Sequence, residues 1–388
     1  MYELCIKCKG RNFCKPKPCA LLEQIKEFLP KITNLSFDGY SNEPFVGHFS
    51  YPEVFVGSLA LKEQKNPAVE NWFEDKFTIN DILALRSSML YTRFRSQVNY
   101  KIQTLNAKLL ANIQELTLAK KPTLAEFFLK SRPKPSLFLD SHHQPICNPV
   151  PLAKIKLEEN PKINRKVEYV INDDLKAEEA LLKLYNQNLP TSYLIKLLSV
   201  SLLGIKKKLV PTRWSITAVD SILSKNLLKS IRTYPVINEY RLFHAEYLGN
   251  HYEILLLPQL WSFEVIETHQ DYKTFTCDHE DLTERKTYAS QVTGAYYANR
   301  LATAEYLKKI KRQASVIILR EISKEYWAPC GVGILRELSR AAFKAGEKFS
   351  TLKEALNAIK TRLKVPIEGY QKHSVLLNRT EHQLRLNA

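Results

Sequence analysis

The chain has 388 residues, with 57 Lys or Arg against 40 Asp or Glu and a formal net charge of +17. At roughly 100–200 residues per domain this length predicts two or three domains, and a composition 45% hydrophobic and 25% charged excludes bulk disorder. No apolar run reaches the roughly 18 residues of a membrane span, and the opening MYELCIKCKG has no apolar signal core, so we expect a cytoplasmic protein with no membrane partner.

Four of the seven cysteines, Cys5, Cys8, Cys14 and Cys19, fall within the first nineteen residues. Disulfides are not favoured in a chain without a signal segment. A Cys-x2-Cys pair followed by two further cysteines fits four thiolates around one tetrahedral Zn2+. Four protein ligands close such a site, so one structural Zn2+ per chain is expected, with iron–sulfur ligation as the alternative. Lys7, Lys9, Arg11, Lys15 and Lys17 interleave with these cysteines. Their charge favours the thiolates and makes them candidate phosphate contacts. The bland reading is a metal staple that only ties down the N-terminus.

Residues 21–29 predict a short amphipathic helix that stops near Pro30. Residues 44–61 predict two short strands around a turn at 50–52, with Gly47 and Gly57 either making turns or allowing close approach to a ligand. Thr78-Ile79-Asn80-Asp81 has the capping-box form and opens a helix through Ile82, Leu85 and Met89, carrying Arg86 and then Arg93 and Arg95. A further helix is expected over 105–130, followed by an irregular Pro-rich crossing over 131–162. Helices are expected at 173–188 and 190–203, and residues 213–220 begin another. Residues 252–258 and 260–268 predict strands, and the polar run 269–284 a domain boundary. Beyond it, 288–312 reads as a helix, 314–322 as a strand and 331–347 as a helix. Helices outnumber strands without regular βαβ alternation, so the fold class is α+β.

Within VPTRWSITAVD, residues 210–220, Arg213 is a candidate phosphate grip and Asp220 a candidate metal ligand or base. The structural alternative buries Trp214 and pairs Arg213 with Asp220. Arg336, Arg340 and Lys344 repeat at i, i+4 and i+8, which predicts three cations on one helix face. Such a row tracks a phosphate backbone or simply faces solvent, and Arg300, Lys308, Lys311 and Arg312 lie on the preceding helix. Asp140, His142 and His143 are a weaker candidate for a second metal site, because adjacent histidines point in different directions. No P-loop, GxGxxG, Ser-His-Asp signature or HExxH is present. The sequence nominates no catalytic centre.

CIKCKGRNFC, YPEVFVG, VPTRWSITAVD, GNHYEILLLPQLW and KRQASVIILREISKEYWAPCGVGILRELSRAAF occur in order from Cys5 to Phe343. Together they resemble the archaeal Nre family of DNA repair proteins. The resemblance implies a four-cysteine zinc module over 1–22, a larger N-terminal domain over 23–275 and a smaller C-terminal domain over 285–388. It also implies a role in DNA-damage repair, on damaged, forked or single-stranded DNA, in association with the nucleoid. Family members often end in a sliding-clamp-binding peptide of the form Gln-x-x-aliphatic-x-x-aromatic-aromatic. Here Gln383 and Leu386 match its first half, and the sequence finishes Asn387-Ala388 without the aromatic pair that anchors such peptides.

The expectation is a DNA-binding repair factor with a structural zinc site and a basic surface. That surface would include Lys7, Lys9, Arg11, Lys15, Arg213, Arg336, Arg340 and Lys344, with 17 Phe, 19 Tyr and 4 Trp available for base stacking. Two alternatives stand beside it. One is a nuclease- or glycosylase-like enzyme using Arg213 and Asp220; the other is an RNA-binding factor, since charge and zinc do not tell RNA from DNA.

Overall fold

The computed structural model describes residues 8, 19–32, 34–99, 105–269 and 274–386. The chain forms two units, Met1–Ile222 with Ala328–Gly331 and Leu223–Trp327 with Val332–Ala388. It passes from one to the other inside the helix Thr212–Ile231. Among the described residues no helix is long and apolar enough to cross a membrane.

The first unit contains β1 (Ser36–Ser41), β2 (Pro44–Val46), β3 (Glu53–Ala60), β4 (Leu90–Gln97), β5 (Thr123–Leu129), β6 (Leu137–Phe138), β7 (Ile146–Cys147) and β8 (Pro149–Leu157). Six of these form one sheet of order β1-β5-β8-β4-β3-β2, and β6 pairs with β7. Neighbours in the sheet are antiparallel except β4 and β8, which run parallel from the Tyr91–Pro149 rung to the Arg93–Pro151 rung. Pro149 and Pro151 lack the N–H that a longer ladder needs, and β8 pairs with β5 from Leu152 onward. Gly57 lies inside β3, where a Cβ would come 1.9 Å from the Thr92 carbonyl oxygen of β4. Its role is strand packing, and neither expected reading of it holds.

Several expected helices give way to strands. The Thr78 capping box forms with both of its bonds, but its helix, Ile79–Ser87, stops before Met89. Arg93 and Arg95 lie on β4 instead. Period-two alternation prevails there: Leu90, Thr92, Phe94 and Ser96 turn one way into the core, and Tyr91, Arg93 and Arg95 the other. The helix expected over 105–130 ends at Leu118. Pro122 disfavours helical backbone in the residue before it, and TLAEFFL then alternates buried and half-buried as β5. The crossing over 131–162, expected to be irregular, holds β6, β7 and β8.

The second unit contains β9 (Tyr240–Tyr247), β10 (Asn250–Leu257), β11 (Ser262–His269), β12 (Phe275–Glu280), β13 (Ser315–Ile322) and β14 (Gly346–Phe349). Their order is β12-β11-β13-β10-β9-β14. Every residue of β13 is buried, which explains its near-continuous apolar run. Its charges are partnered inside: Arg320 donates to Asn250 and Glu267, and Glu321 accepts from the Lys364 and Val365 N–H groups. The helices Leu352–Arg362, Ile367–His373 and Val375–Leu386 bring Ile359, Tyr370 and Leu377 into one apolar cluster with Leu255, Ile317 and Leu319. Each fully buried side chain of this kind contributes about 1.5–3 kcal/mol.

The polar run 269–284, expected as a domain boundary, contains β12. Its carboxylates are satisfied by the fold. Asp278 accepts from the Gln291 and Val292 N–H groups and pairs with Arg285 at 3.0 Å. Glu280 pairs with Arg300 at 2.7 Å. Helices and sheets thus combine as the expected α+β class.

Candidate functional site

Of the four expected zinc ligands, Cys5 and Cys14 lie outside the described residues, as do Lys7, Lys9, Arg11, Lys15 and Lys17. Cys8 is buried, and Cys19 stands at the N-cap of the helix Ala20–Phe28. Among the described residues no three His, Cys, Asp or Glu side chains are grouped to hold a metal ion.

VPTRWSITAVD does begin a helix, Thr212–Ile231, and the Val46 N–H donates to Thr212 Oγ1 at 2.9 Å, tying that helix to β2. The structural alternative for its side chains does not form. Arg213 Nη1 donates to Asp140 Oδ2 at 3.2 Å, while Asp220 is fully buried farther along the helix. Trp214, expected in the core, is 44% exposed and packs 5.0 Å from the Tyr51 ring. A helix seven residues long between Arg213 and Asp220 places them two turns apart, so tertiary contacts choose their partners.

Asp140 also accepts the His142 N–H at 2.7 Å. Burial by itself would raise the Asp140 pKa. The His142 hydrogen bonds, with the charge interactions of His143 and Arg213, outweigh it and hold the carboxyl well below the usual range. His143 turns away, its Nδ1 donating to the Gln144 carbonyl at 2.7 Å. Burial pushes its pKa down to about 4, so the ring is neutral near pH 7. That leaves the buried Nε2 an acceptor without a hydrogen-bond partner among the described residues. His142 and His143 do not converge on a common ion.

The His143 ring packs 4.8 Å from Phe45 and 5.6 Å from Phe138. Both are walls of a cavity of about 250 Å3 completed by Phe49, Phe55 and Tyr91, with Gly47, His48, Arg93 and Ser136 among the rings. An apolar cluster of Phe45, Leu59, Tyr91 and Ile146 underlies it. The Tyr91 hydroxyl donates to the Phe45 and Phe55 carbonyls at 3.2 Å, which joins β4 to β2 and β3 at this point. The Arg93 guanidinium lies 4.0 Å from the Phe55 ring centre and that of Arg95 4.8 Å from it. Arg95 is tied to Glu53 at 2.7 Å. Among the described residues no carboxylate pairs with Arg93.

The turn joining β2 to β3 carries His48, Phe49 and Tyr51. Phe49 is 58% and Tyr51 43% exposed, and Lys208 lies 5.8 Å from the Tyr51 ring. Burial, then the nearby Arg213 charge, lowers the His48 pKa below 6.5, so this imidazole is neutral near pH 7. Sequence reasoning missed the cavity. The available signal was the alternation in LYTRFRSQ, which puts Tyr91, Arg93 and Arg95 on one strand face. No local pattern pointed to Phe45, Phe55 or Phe138 as its walls.

Arg336, Arg340 and Lys344 do not form an open row of cations. Arg336 is 1% exposed, with Glu337 at 3.5 Å. Arg340 donates to Glu305 at 2.8 and 2.7 Å and to Glu337 at 2.8 Å. Their helix ends at Ala342, so the exposed Lys344 lies beyond it. Arg300 is buried against Glu280, and Lys308 donates to the Ser230 and Tyr234 hydroxyls. Gln383 and Leu386 lie on the helix Val375–Leu386.

Residues 13–276 match the family model "Archaeal Nre, N-terminal" and residues 280–388 match "Archaeal Nre, C-terminal". The chain is similar to the DNA repair protein NreA of Archaeoglobus fulgidus, 38% identical over 373 residues that cover 92% of this chain and 93% of that relative. It is similar also to the DNA repair protein NreB of the same organism, 33% identical over 397 residues covering 97% of each. The DNA repair protein NreA of Haloferax volcanii is 29% identical over 364 residues, 87% of this chain and 86% of its own. No solved structure matches.

Proposed function

The chain belongs to the archaeal Nre family, and from that premise we propose that it is a DNA repair protein that binds DNA directly. The names of its relatives support the repair role. One observation carries the DNA contact: in the first unit an arginine without a carboxylate partner among the described residues stands in an aromatic cavity beside exposed rings. Guanidinium groups hold phosphates, and bases stack on such rings for about 1–3 kcal/mol each. The net charge of +17 adds a sequence-independent attraction that weakens with salt. Damaged, forked or single-stranded DNA on the nucleoid is the partner this chemistry suits, because its bases are accessible.

The basic surface in this reading centres on Arg93, with Arg213 a third exposed nearby in sequence to Trp214. Lys7, Lys9, Arg11 and Lys15, which interleave with the cysteines in sequence, are further phosphate contacts in this proposal. One structural Zn2+ held by Cys5, Cys8, Cys14 and Cys19 belongs to the same proposal, supported by their spacing and by the burial of Cys8. Four thiolates leave such an ion no open position, so its contribution is to folding.

The test is a titration of the protein into end-labelled forked DNA with Mg2+, read on native and denaturing gels against matched RNA competitor. The expected result is a shifted band, unchanged strand length and poor competition by RNA. Full competition by RNA would replace the reading with an RNA-binding factor. Shortened strands, absent with Asp220→Ala, would make the protein a DNA-processing enzyme using Arg213 and Asp220.

A further inference from the structure

We infer that the cavity of the first unit receives one unstacked nucleobase of a DNA strand, while Arg93 holds the phosphate beside it. The inference rests on the DNA-binding reading above and deepens it.

Size comes first. A volume of about 250 Å3 lies just below the roughly 300–1,000 Å3 of small-ligand pockets. It has room for one planar ring system, and none for a duplex or an extended chain. The walls include the rings of Phe45, Phe55, Tyr91 and Phe138, and stacking on aromatic rings tolerates any base.

The polar groups among the rings are those a base edge needs. The Ser136 hydroxyl and the His48 imidazole have no hydrogen-bond partner among the described residues. Between them they offer a donor and an acceptor on either side. The unsatisfied Nε2 of His143 belongs to a ring packed against Phe45 and Phe138, outside the lining itself. An apolar side chain of a partner protein would bury the Ser136 and His48 groups without pairing them, at about 1–3 kcal/mol each, which argues against it as the occupant.

Arg93 supplies the remaining element. Its guanidinium is oriented against the Phe55 ring at 4.0 Å, a contact that leaves its N–H groups available in plane. Two residues on, Arg95 has the same ring contact and a carboxylate, Glu53. The difference marks Arg93 as the cation awaiting an anion from outside. A base and its phosphate are covalently joined and would satisfy the rings, the edge groups and Arg93 together. Because duplex bases are stacked and paired, the occupant is a single-stranded base or one turned out of the helix. Phe49, exposed and 4.2 Å from the His48 ring, is placed to stack on its neighbour.

The experiment compares fluorescence anisotropy of the full chain with a short labelled oligothymidylate, the same-length abasic strand, and matched oligouridylate. The wild type is expected to prefer the base-bearing DNA over the abasic strand about tenfold, and to bind the RNA more weakly. Ser136→Leu fills the cavity without touching a cation and should erase the preference. Gly47→Val is a second filler for the case in which the first does not fold, since a Cβ there meets nothing closer than 3.5 Å. Arg93→Gln should weaken both DNA strands and lower the salt slope by about one contact. Equal binding of base-bearing and abasic strands by the wild type, or a preference that survives a folded filler variant, overturns the pocket and leaves the DNA-binding reading standing. RNA bound as tightly as DNA overturns the assignment to DNA. No binding of any strand at low salt removes the DNA-binding reading, and the pocket with it.

Discussion

Arg213 reaches back 73 residues to Asp140, its Nη1 3.2 Å from the carboxylate. This pair, together with the His142 N–H on the other oxygen, holds the loop between β6 and β7 to the first turn of the helix Thr212–Ile231. Asp140→Asn removes the charge and keeps the shape. The loss expected at neutral pH is about 1.5–3 kcal/mol, the range for hydrogen bonds to charged groups. Because the folded pKa lies below 3.8, the contribution is complete above pH 3.8 and is lost as pH falls through the folded value. Denaturant curves of the two proteins should therefore converge in acid; a constant gap would show that the charge is not the cause.

His251 titrates with the opposite sign. Burial would lower its pKa, but the hydrogen bond to Glu253 at 2.8 Å and the charges of Glu253 and Glu246 outweigh it and raise the pKa above 6.5. Its stabilising charge is fully present below pH 6.5 and is lost as pH rises through the folded value. Arg362 also holds Glu253, at 2.9 and 3.1 Å, so the carboxylate stays partnered and the loss is gradual. We expect Tm to decline from pH 6.5 upward more steeply in the wild type than in His251→Gln. Parallel profiles would refute the assignment.

Gly331 sits at φ +85°, and a Cβ there would come 2.6 Å from the His143 carbonyl carbon. Only glycine suits both the backbone and the approach. Gly331→Ala is expected to cost about 1–3 kcal/mol from the positive φ alone, with a lower denaturation midpoint at unchanged m-value. A variant as stable as the wild type would mean that the His143 segment shifts without cost.

Cys8→Ser tests the zinc proposal. Metal analysis of the purified wild type should give about one Zn2+ per chain, and the variant substantially less, with a lower Tm. Unchanged zinc content in the variant would sink the four-thiolate assignment.

The double variant Arg340→Gln/Lys344→Gln addresses the basic helix. Glu305 and Glu337 already occupy Arg340, so only the exposed Lys344 remains to meet a phosphate. The slope of log K against log salt should change by no more than about 0.9, one contact. A change near two contacts would restore the open row that the spacing suggested.

The sequence by itself carried the features that act at short range or by composition. The capping box at Thr78 and Asp81 formed, the β2–β3 strands flanked their turn, and the helix beginning at Thr212 appeared where its motif lay. The run of motifs from CIKCKGRNFC onward identified the family. These succeed because caps, turns and helix starts are satisfied by neighbours a few residues away.

The partners of buried charges were decided only in three dimensions. Arg213 chose Asp140 over Asp220, Arg340 found Glu305, and Asp278 and Glu280 on β12 found Arg285 and Arg300. A carboxylate lowers the cost of burying a guanidinium only from hydrogen-bond distance, and no local spacing tells which carboxylate will arrive. The cavity followed the same rule. Phe45, Tyr91 and Phe138 are separated by dozens of residues and share a wall because β2, β4 and the β6–β7 ribbon meet. Arg93 became its cation only when period-two pairing with β3 turned an expected helix into a strand.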